Sequence, residues 1–315
     1  MTTTIVTAAM PPGSLDELHD AGHDVVQLDA TQPLVDHIAS ADAVVSVLTD
    51  RVDRSVLHTG AAGRLRVVAN VAAGFDNIDI AAAGELGIAV TNTPGVLDES
   101  TADLAFALAL MARRGTGEAE RTLRTGGWRG WTVTDLLGHD VHGATLGVVG
   151  WGRIGRAVAR RGAAFGMHIL HTARRPTGEP GEATLDELLR RSDIVSLHVP
   201  LTDQTHHLID AGRLSSMKST SVLVNTARGA AVDEAALADA LHDGTIFGAG
   251  IDVFEHEPTI HPRLLTAPNA VLLPHIGSAT VATRTAMARM AAASVLAVLD
   301  GRRPENLVTD HRDRP

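Results

Sequence analysis

The chain has 315 residues, 44% apolar and 20% charged, a length that suits two domains and a composition that excludes a disordered chain. Its net charge of −10, with no Lys/Arg cluster, argues against nucleic acid as a partner. No cysteine is present, which excludes disulfides, thiolate catalysis and Cys-ligated zinc, and no metal site is expected. The opening MTTTIVTAA lacks the basic stretch of a signal peptide and reads as a first strand. The apolar runs 104–112 and 290–299 are too short to span a membrane. A cytoplasmic protein with no membrane partner is expected.

Residues 3–94 alternate short apolar runs with helical patterns. Strands are predicted at 5–8, 24–28, 43–48, 66–70 and 88–91, and helices at 14–21, 55–62 and 80–86, with Gly22 and Gly87 placed as C-cap glycines. Strands alternating with helices imply a parallel sheet covered on both faces. A polar break, Asn92-Thr-Pro-Gly95, leads into a long helical pattern at 98–114.

A second series follows, with strands predicted at 146–150, 167–172, 193–199, 221–225, 248–253 and 270–273. Thr184 and Glu187 form a capping box at a helix start. After Pro274 one more helix is predicted, at 280–299, followed by a polar tail. The expected organisation is a Rossmann-type doubly wound nucleotide-binding domain, residues 97–280, inserted into a smaller flavodoxin-like α/β substrate domain, residues 1–96 and 281–315, with a cleft between them.

Between the first strand of the second series and a helical pattern at 156–165, Gly150, Gly152 and Gly155 form G-x-G-x-x-G. Gly150 would permit the tight turn, Gly152 the approach of a pyrophosphate and Gly155 close helix–strand packing. The anion would rest on the helix N-terminus, near Arg153 and Ile154. In NAD sites a carboxylate follows the second strand. Here that position falls at or near Ala173 and is empty, and Arg174 and Arg175 follow. Two guanidiniums suit the 2′-phosphate of NADP. The alternative is that they solvate the turn before Pro176, which leaves NAD open.

Arg228, Asp252, Glu257 and His275 fall just past the ends of the last three strands, where doubly wound sheets build their sites. An Arg fork that grips a carboxylate, and a His paired with a carboxylate as proton donor, suit reduction of a 2-oxo acid.

The chain resembles the D-2-hydroxyacid dehydrogenase family over nearly its whole length, nearest to its glyoxylate/hydroxypyruvate reductase branch. The carrying segments are 68–79 (VANVAAGFDNID), 87–95 (GIAVTNTPG), 99–106 (ESTADLAF), the glycine loop, 198–202 (HVPLT), 225–229 (NTARG), 252–258 (DVFEHEP) and 274–278 (PHIGS). The resemblance implies that Arg228 binds and polarises the substrate, that His275 is the acid/base, and that Glu257 orients His275 and favours its charged form. It gives the amides around Ala73 and Gly74 to the substrate carboxylate and Leu48 to the border of the substrate. Asp252 would bond the nicotinamide amide, with Thr101, Val199, Pro200, Thr205, Thr226, Ala227 and Gly277 around the cofactor. It also implies NADPH, a homodimer with the helix at 98–114 as an interface element, and a small 2-oxo or 2-hydroxy acid as substrate. Competing expectations are an NAD-dependent D-2-hydroxyacid or 3-phosphoglycerate dehydrogenase, and a cofactor-sensing corepressor that binds other proteins. Trp131, in a stretch (126–138) shorter than in related reductases, would either reach a substrate pocket, its own or the partner subunit's, or anchor its loop by packing.

Overall fold

The computed structural model describes residues 1–29 and 31–309; the end of the predicted polar tail lies outside them. The chain divides into two compact units, Met1–Leu97 with Ser278–Pro315, and Asp98–Gly277.

The first unit is built on five parallel strands, β1 (Thr3–Val6), β2 (Asp24–Gln27), β3 (Ala43–Ser46), β4 (Val67–Asn70) and β5 (Ala89–Thr91), in the order β2-β1-β3-β4-β5. This is the flavodoxin-like order. β3 and β4 are buried along their whole length, as expected for strands covered on both faces. Ile5, Val44, Val68, Val90 and Leu57 pack on one face. Val6, Val45, Val67 and Ala69 meet Ala291, Ala292 and Val295 on the other. Those three belong to the helix Val281–Leu299, which is long and apolar enough to cross a membrane but packs on β3 and β4. Local chemistry starts and stops the helices. Asp53 and Asp79 accept from helix-start amides, and Gly22 and Gly87 take φ of +77° and +70° just past helix ends.

The second unit has six parallel strands: β6 (Thr145–Val149), β7 (His168–Thr172), β8 (Ile194–Leu197), β9 (Val222–Asn225), β10 (Gly248–Ile251) and β11 (Ala270–Leu272). Their order is β11-β10-β9-β8-β6-β7. A single parallel bridge from Glu182 to His171 adds a remnant of a further strand outside β7. With it counted, the sheet runs in the dinucleotide-fold order, extended by β11. The order reverses between β6 and β8, which is where such sheets bind ligands. The helix Asp98–Arg113 packs on β9 and β10, and its buried stripe (Ala102, Ala105, Phe106, Ala109, Ala112) is used within its own unit. A short helix not read from the sequence, Thr116–Arg124, follows it; none of its residues is buried, so no apolar stripe marked it.

Candidate active site

The glycine loop leaves β6 at the reversal point. Gly150 has φ of +102°, and a Cβ there would lie 2.3 Å from the His198 carbonyl at the end of β8, so only glycine fits. A Cβ on Gly155 would lie 2.1 Å from the Gly150 carbonyl. Gly152 meets nothing within 4 Å and leaves its face open to an approaching group. It is also the N-cap of the helix Arg153–Ala164, and no side chain caps that helix. The amides of Arg153 and Ile154 therefore open the helix without an intrahelical acceptor. The Arg153 guanidinium is 3.0 Å from Asp98. His198 shares a hydrogen bond of 2.8 Å with Ser196 Oγ, and burial pushes it down to about 3, so it is neutral at physiological pH.

The segment after β7 is held by side chains the sequence reading passed over. Glu179 accepts two bonds from Arg156, at 2.7 and 2.6 Å, and one from Trp151 Nε1 at 2.9 Å. These donors hold its carboxyl down to about 2, Arg156 first. Trp151 stacks on His171 at 3.9 Å and lies under the Arg156 guanidinium. Glu182 accepts from the Thr177 and Gly178 amides. Arg174 and Arg175 stand exposed on this braced segment, with no ion pair among the described residues and no carboxylate at Ala173. An uncapped helix start, an open Gly152 and two unpaired guanidiniums fit a dinucleotide carrying an extra phosphate.

Three strand ends bring the polar groups together. Past β9, the Asn225 side chain brackets the next turn: its Oδ1 accepts from the Ala227 amide at 3.0 Å, and its Nδ2 donates to the Arg228 carbonyl at 2.8 Å. The Arg228 guanidinium donates to the Ala227 carbonyl at 2.8 Å. The Thr226 hydroxyl is buried without a hydrogen-bond partner among the described residues, which leaves it available to an outside group.

Past β10 comes Asp252, only 1% exposed. Its two oxygens accept from the Ile276 and Gly277 amides, each at 2.8 Å, and burial raises its carboxyl above the usual range. Asp252 thus shapes the turn after β11, and a Cβ on Gly277 would crowd its carboxylate at 3.3 Å. His275 heads that turn with φ of +53°, its amide donating to the Asp252 carbonyl at 2.8 Å.

His275 Nδ1 lies 2.8 Å from Glu257 Oε2, and both side chains are about a quarter exposed (26% and 27%). Glu257 Oε1 accepts from the Phe254 amide at 2.9 Å. Burial works to raise the Glu257 carboxyl. The bonds from His275 and Phe254 and the charges of His275 and Arg228 overcome it and hold the group below the usual carboxylate range. An ionised carboxylate can only accept, so the pair places the Nδ1 proton toward Glu257 and turns Nε2 away from it.

Thr205 is the predicted cofactor contact least prepared for one: its hydroxyl donates to the Pro200 carbonyl at 2.6 Å inside its own turn. Val199 is half-buried against Gly150, and Pro200 is exposed. In the first unit, Asn92 and Asn70 pin the Ala73 and Gly74 carbonyls at 2.6 and 3.0 Å, while the Ala73 and Gly74 amides have no acceptor among the described residues. Leu48 lines a depression of about 410 Å³ whose walls include four carboxylates, Asp50, Asp53, Asp76 and Asp79, and one guanidinium, Arg51. Of the two roles open for Trp131, anchoring its loop by packing is not what the structure shows: the residue is 82% exposed.

A dinucleotide-binding fold with an Arg, a carboxylate–His pair and a buried Asp at adjacent strand ends defines an oxidoreductase of the nicotinamide type. Residues 106–277 match the family "D-isomer specific 2-hydroxyacid dehydrogenase, NAD binding domain", and the chain belongs to the D-2-hydroxyacid dehydrogenases. A glyoxylate reductase of Korarchaeum cryptofilum is 47% identical over 96% of this chain and 94% of its own length. A crystal structure of a Thermus thermophilus protein matches with a TM-score of 0.91 and 44% identity, covering 98% of this chain and 100% of that one. The NADPH-dependent glyoxylate/hydroxypyruvate reductase of Sinorhizobium meliloti, solved with NADP and malonate, matches with a TM-score of 0.86 and 36% identity over 100% and 99%.

Proposed function

We propose that this oxidoreductase reduces small 2-oxo acids, glyoxylate and hydroxypyruvate first, to D-2-hydroxy acids with NADPH as the preferred cofactor and His275 as proton donor. The observation that carries the reading is the 2.8 Å His275–Glu257 pair, formed past the sheet ends with Arg228 close enough to lower the Glu257 carboxyl. The names of the Korarchaeum and Sinorhizobium relatives support the substrate class, and the latter supports the cofactor.

Gly152, the amides of Arg153 and Ile154, Thr226 and Asp252 would hold the cofactor, with Arg174 and Arg175 on its 2′-phosphate. Bound there, the nicotinamide supplies the hydride. Arg228 grips the substrate carboxylate and draws charge toward the ketone oxygen. His275 Nε2 delivers the proton to that oxygen, and Glu257 stabilises the imidazolium through Nδ1–H. The amides of Ala73 and Gly74 are free to receive a carboxylate oxygen. Asn225 acts at one remove by fixing the turn that carries Arg228, and Asp252, besides its place beside the cofactor, fixes the turn that carries His275.

The reading includes a cytoplasmic homodimer. Trp128, Trp131, Val133 and Leu137 stand 57–82% exposed within one stretch, more apolar surface than a solitary chain usually shows in ten residues. The test is NADPH oxidation with glyoxylate, hydroxypyruvate, pyruvate and bulkier 2-oxo acids, with chiral analysis of the product. Turnover confined to the small acids, with a D product, is expected. No turnover with any of them, or an L product, refutes the reading.

A further inference from the structure

Outside the reaction site, the second unit holds a cluster that the proposed chemistry does not use. His206, His207 and Glu255 each present one donor atom, and the three atoms lie within 4.8 Å of one another. Adjacent side chains of an extended chain point to opposite faces. Here His207 takes φ of +47°, which sets its ring alongside that of His206, with centroids 4.1 Å apart and planes 26° apart. His207 Nε2 donates to Glu255 Oε1 at 2.8 Å. His206 is exposed and the other two are half-buried, so the open side of the cluster faces solvent.

The backbone under the cluster is fixed from two directions. The His207 amide donates to the Ala230 carbonyl at 2.8 Å. The buried Glu234 carboxylate accepts from the Glu255 amide at 2.9 Å. Two imidazoles and one carboxylate on anchored backbone are the donor set of a borderline divalent metal; magnesium and calcium prefer oxygen alone. Ligand atoms of a tetrahedral ion bound at about 2.0–2.2 Å stand roughly 3.3–3.6 Å apart. Reaching that spacing would take a rotamer change of exposed His206 and a slight opening of the 2.8 Å His207–Glu255 pair.

We propose that His206, His207 and Glu255 form a binding site for a divalent transition-metal ion, zinc first, that ties the turn after β8 to the turn carrying Glu257. Glu255 lies two residues from Glu257, and a Cβ on Gly229, next to Arg228, would lie 1.9 Å from the Phe254 backbone. A metal here therefore stiffens the support of both reactive side chains while touching neither.

The experiment is calorimetric titration of the chelator-stripped full-length protein with zinc chloride alone, beside His206→Ala, His207→Asn and Glu255→Gln. Asparagine is chosen at 207 because it tolerates positive φ. One saturable zinc per chain is expected in the wild type, weakened at least about tenfold in each variant, the least that losing a direct ligand should cost. Zinc should raise the melting temperature of the wild type and not that of His206→Ala, whose exposed position leaves the metal-free fold intact. Magnesium chloride should give no such event. Equal zinc binding by wild type and His206→Ala, or no one-to-one event at all, overturns the proposal whether or not the chain reduces 2-oxo acids.

Discussion

Replacing Glu257 with Gln isolates the charge behind His275, the proposed proton donor. Glu257 serves two donors at once, His275 Nδ1–H at 2.8 Å and the Phe254 amide at 2.9 Å. A glutamine of the same shape has one acceptor oxygen and an NH₂ group. If the oxygen keeps the Phe254 amide, the NH₂ faces Nδ1, and the ring must then hold its only proton on Nε2, a neutral form that makes a poor acid. If the oxygen turns to His275, the Phe254 amide is left facing a donor. Either way a hydrogen bond to a charged partner is lost, about 1.5–3 kcal/mol. At about 1.4 kcal/mol per decade, kcat should fall roughly ten- to 150-fold. KM for NADPH should stay nearly unchanged, because Glu257 lies on the proton-donor side of the site. The assay is initial-rate NADPH oxidation with glyoxylate, with the melting temperature as a check on folding. A folded variant within twofold of wild-type kcat would refute the proton-donor account.

Other consequences follow from the same geometry. Gly155→Ala forces a Cβ to within 2.1 Å of the Gly150 carbonyl. It should raise KM for NADPH sharply and cost about 1–3 kcal/mol of stability, read from denaturant unfolding. Replacing both Arg174 and Arg175 with Ala removes the two guanidiniums proposed to hold the 2′-phosphate. It should lower kcat/KM with NADPH roughly tenfold or more and leave that with NADH in place; an equal loss with both cofactors would contradict the phosphate role. Glu179 titrates at about 2 in the folded chain against an ordinary 4.5. Its folded value is depressed, so its stabilising contribution is complete above about 4.5 and is lost as pH falls toward about 2. The melting-temperature gap between wild type and Glu179→Gln should close over that window; a gap independent of pH would show the Arg156 and Trp151 bonds to be inert.

All eleven strands among the described residues were legible because parallel strands buried on both faces are written as short apolar runs between turn residues. Their pairing order was legible only as a class. The remnant strand at Glu182 is one bridge long and leaves no apolar run to read. The glycine loop and the Arg, Glu and His past the strand ends could be found because each sits at a fixed offset in a local motif. What escaped were side chains that act across loops. Asn225 lay inside a quoted motif, but its grip on the Ala227 amide and Arg228 carbonyl is a matter of rotamer. Glu179 reaches Arg156 and Trp151 over 23 and 28 residues. The His206–His207–Glu255 cluster needs β8 and β10 to lie in one sheet before its members meet.

The central claim is that the His275 site reduces a small 2-oxo acid with a phosphorylated nicotinamide cofactor. Its most direct test is kcat/KM for glyoxylate reduction by the wild-type chain with NADPH and with NADH, measured side by side. A clear preference for NADPH is predicted. No turnover with either cofactor, or a value with NADH that equals or exceeds that with NADPH, would contradict it.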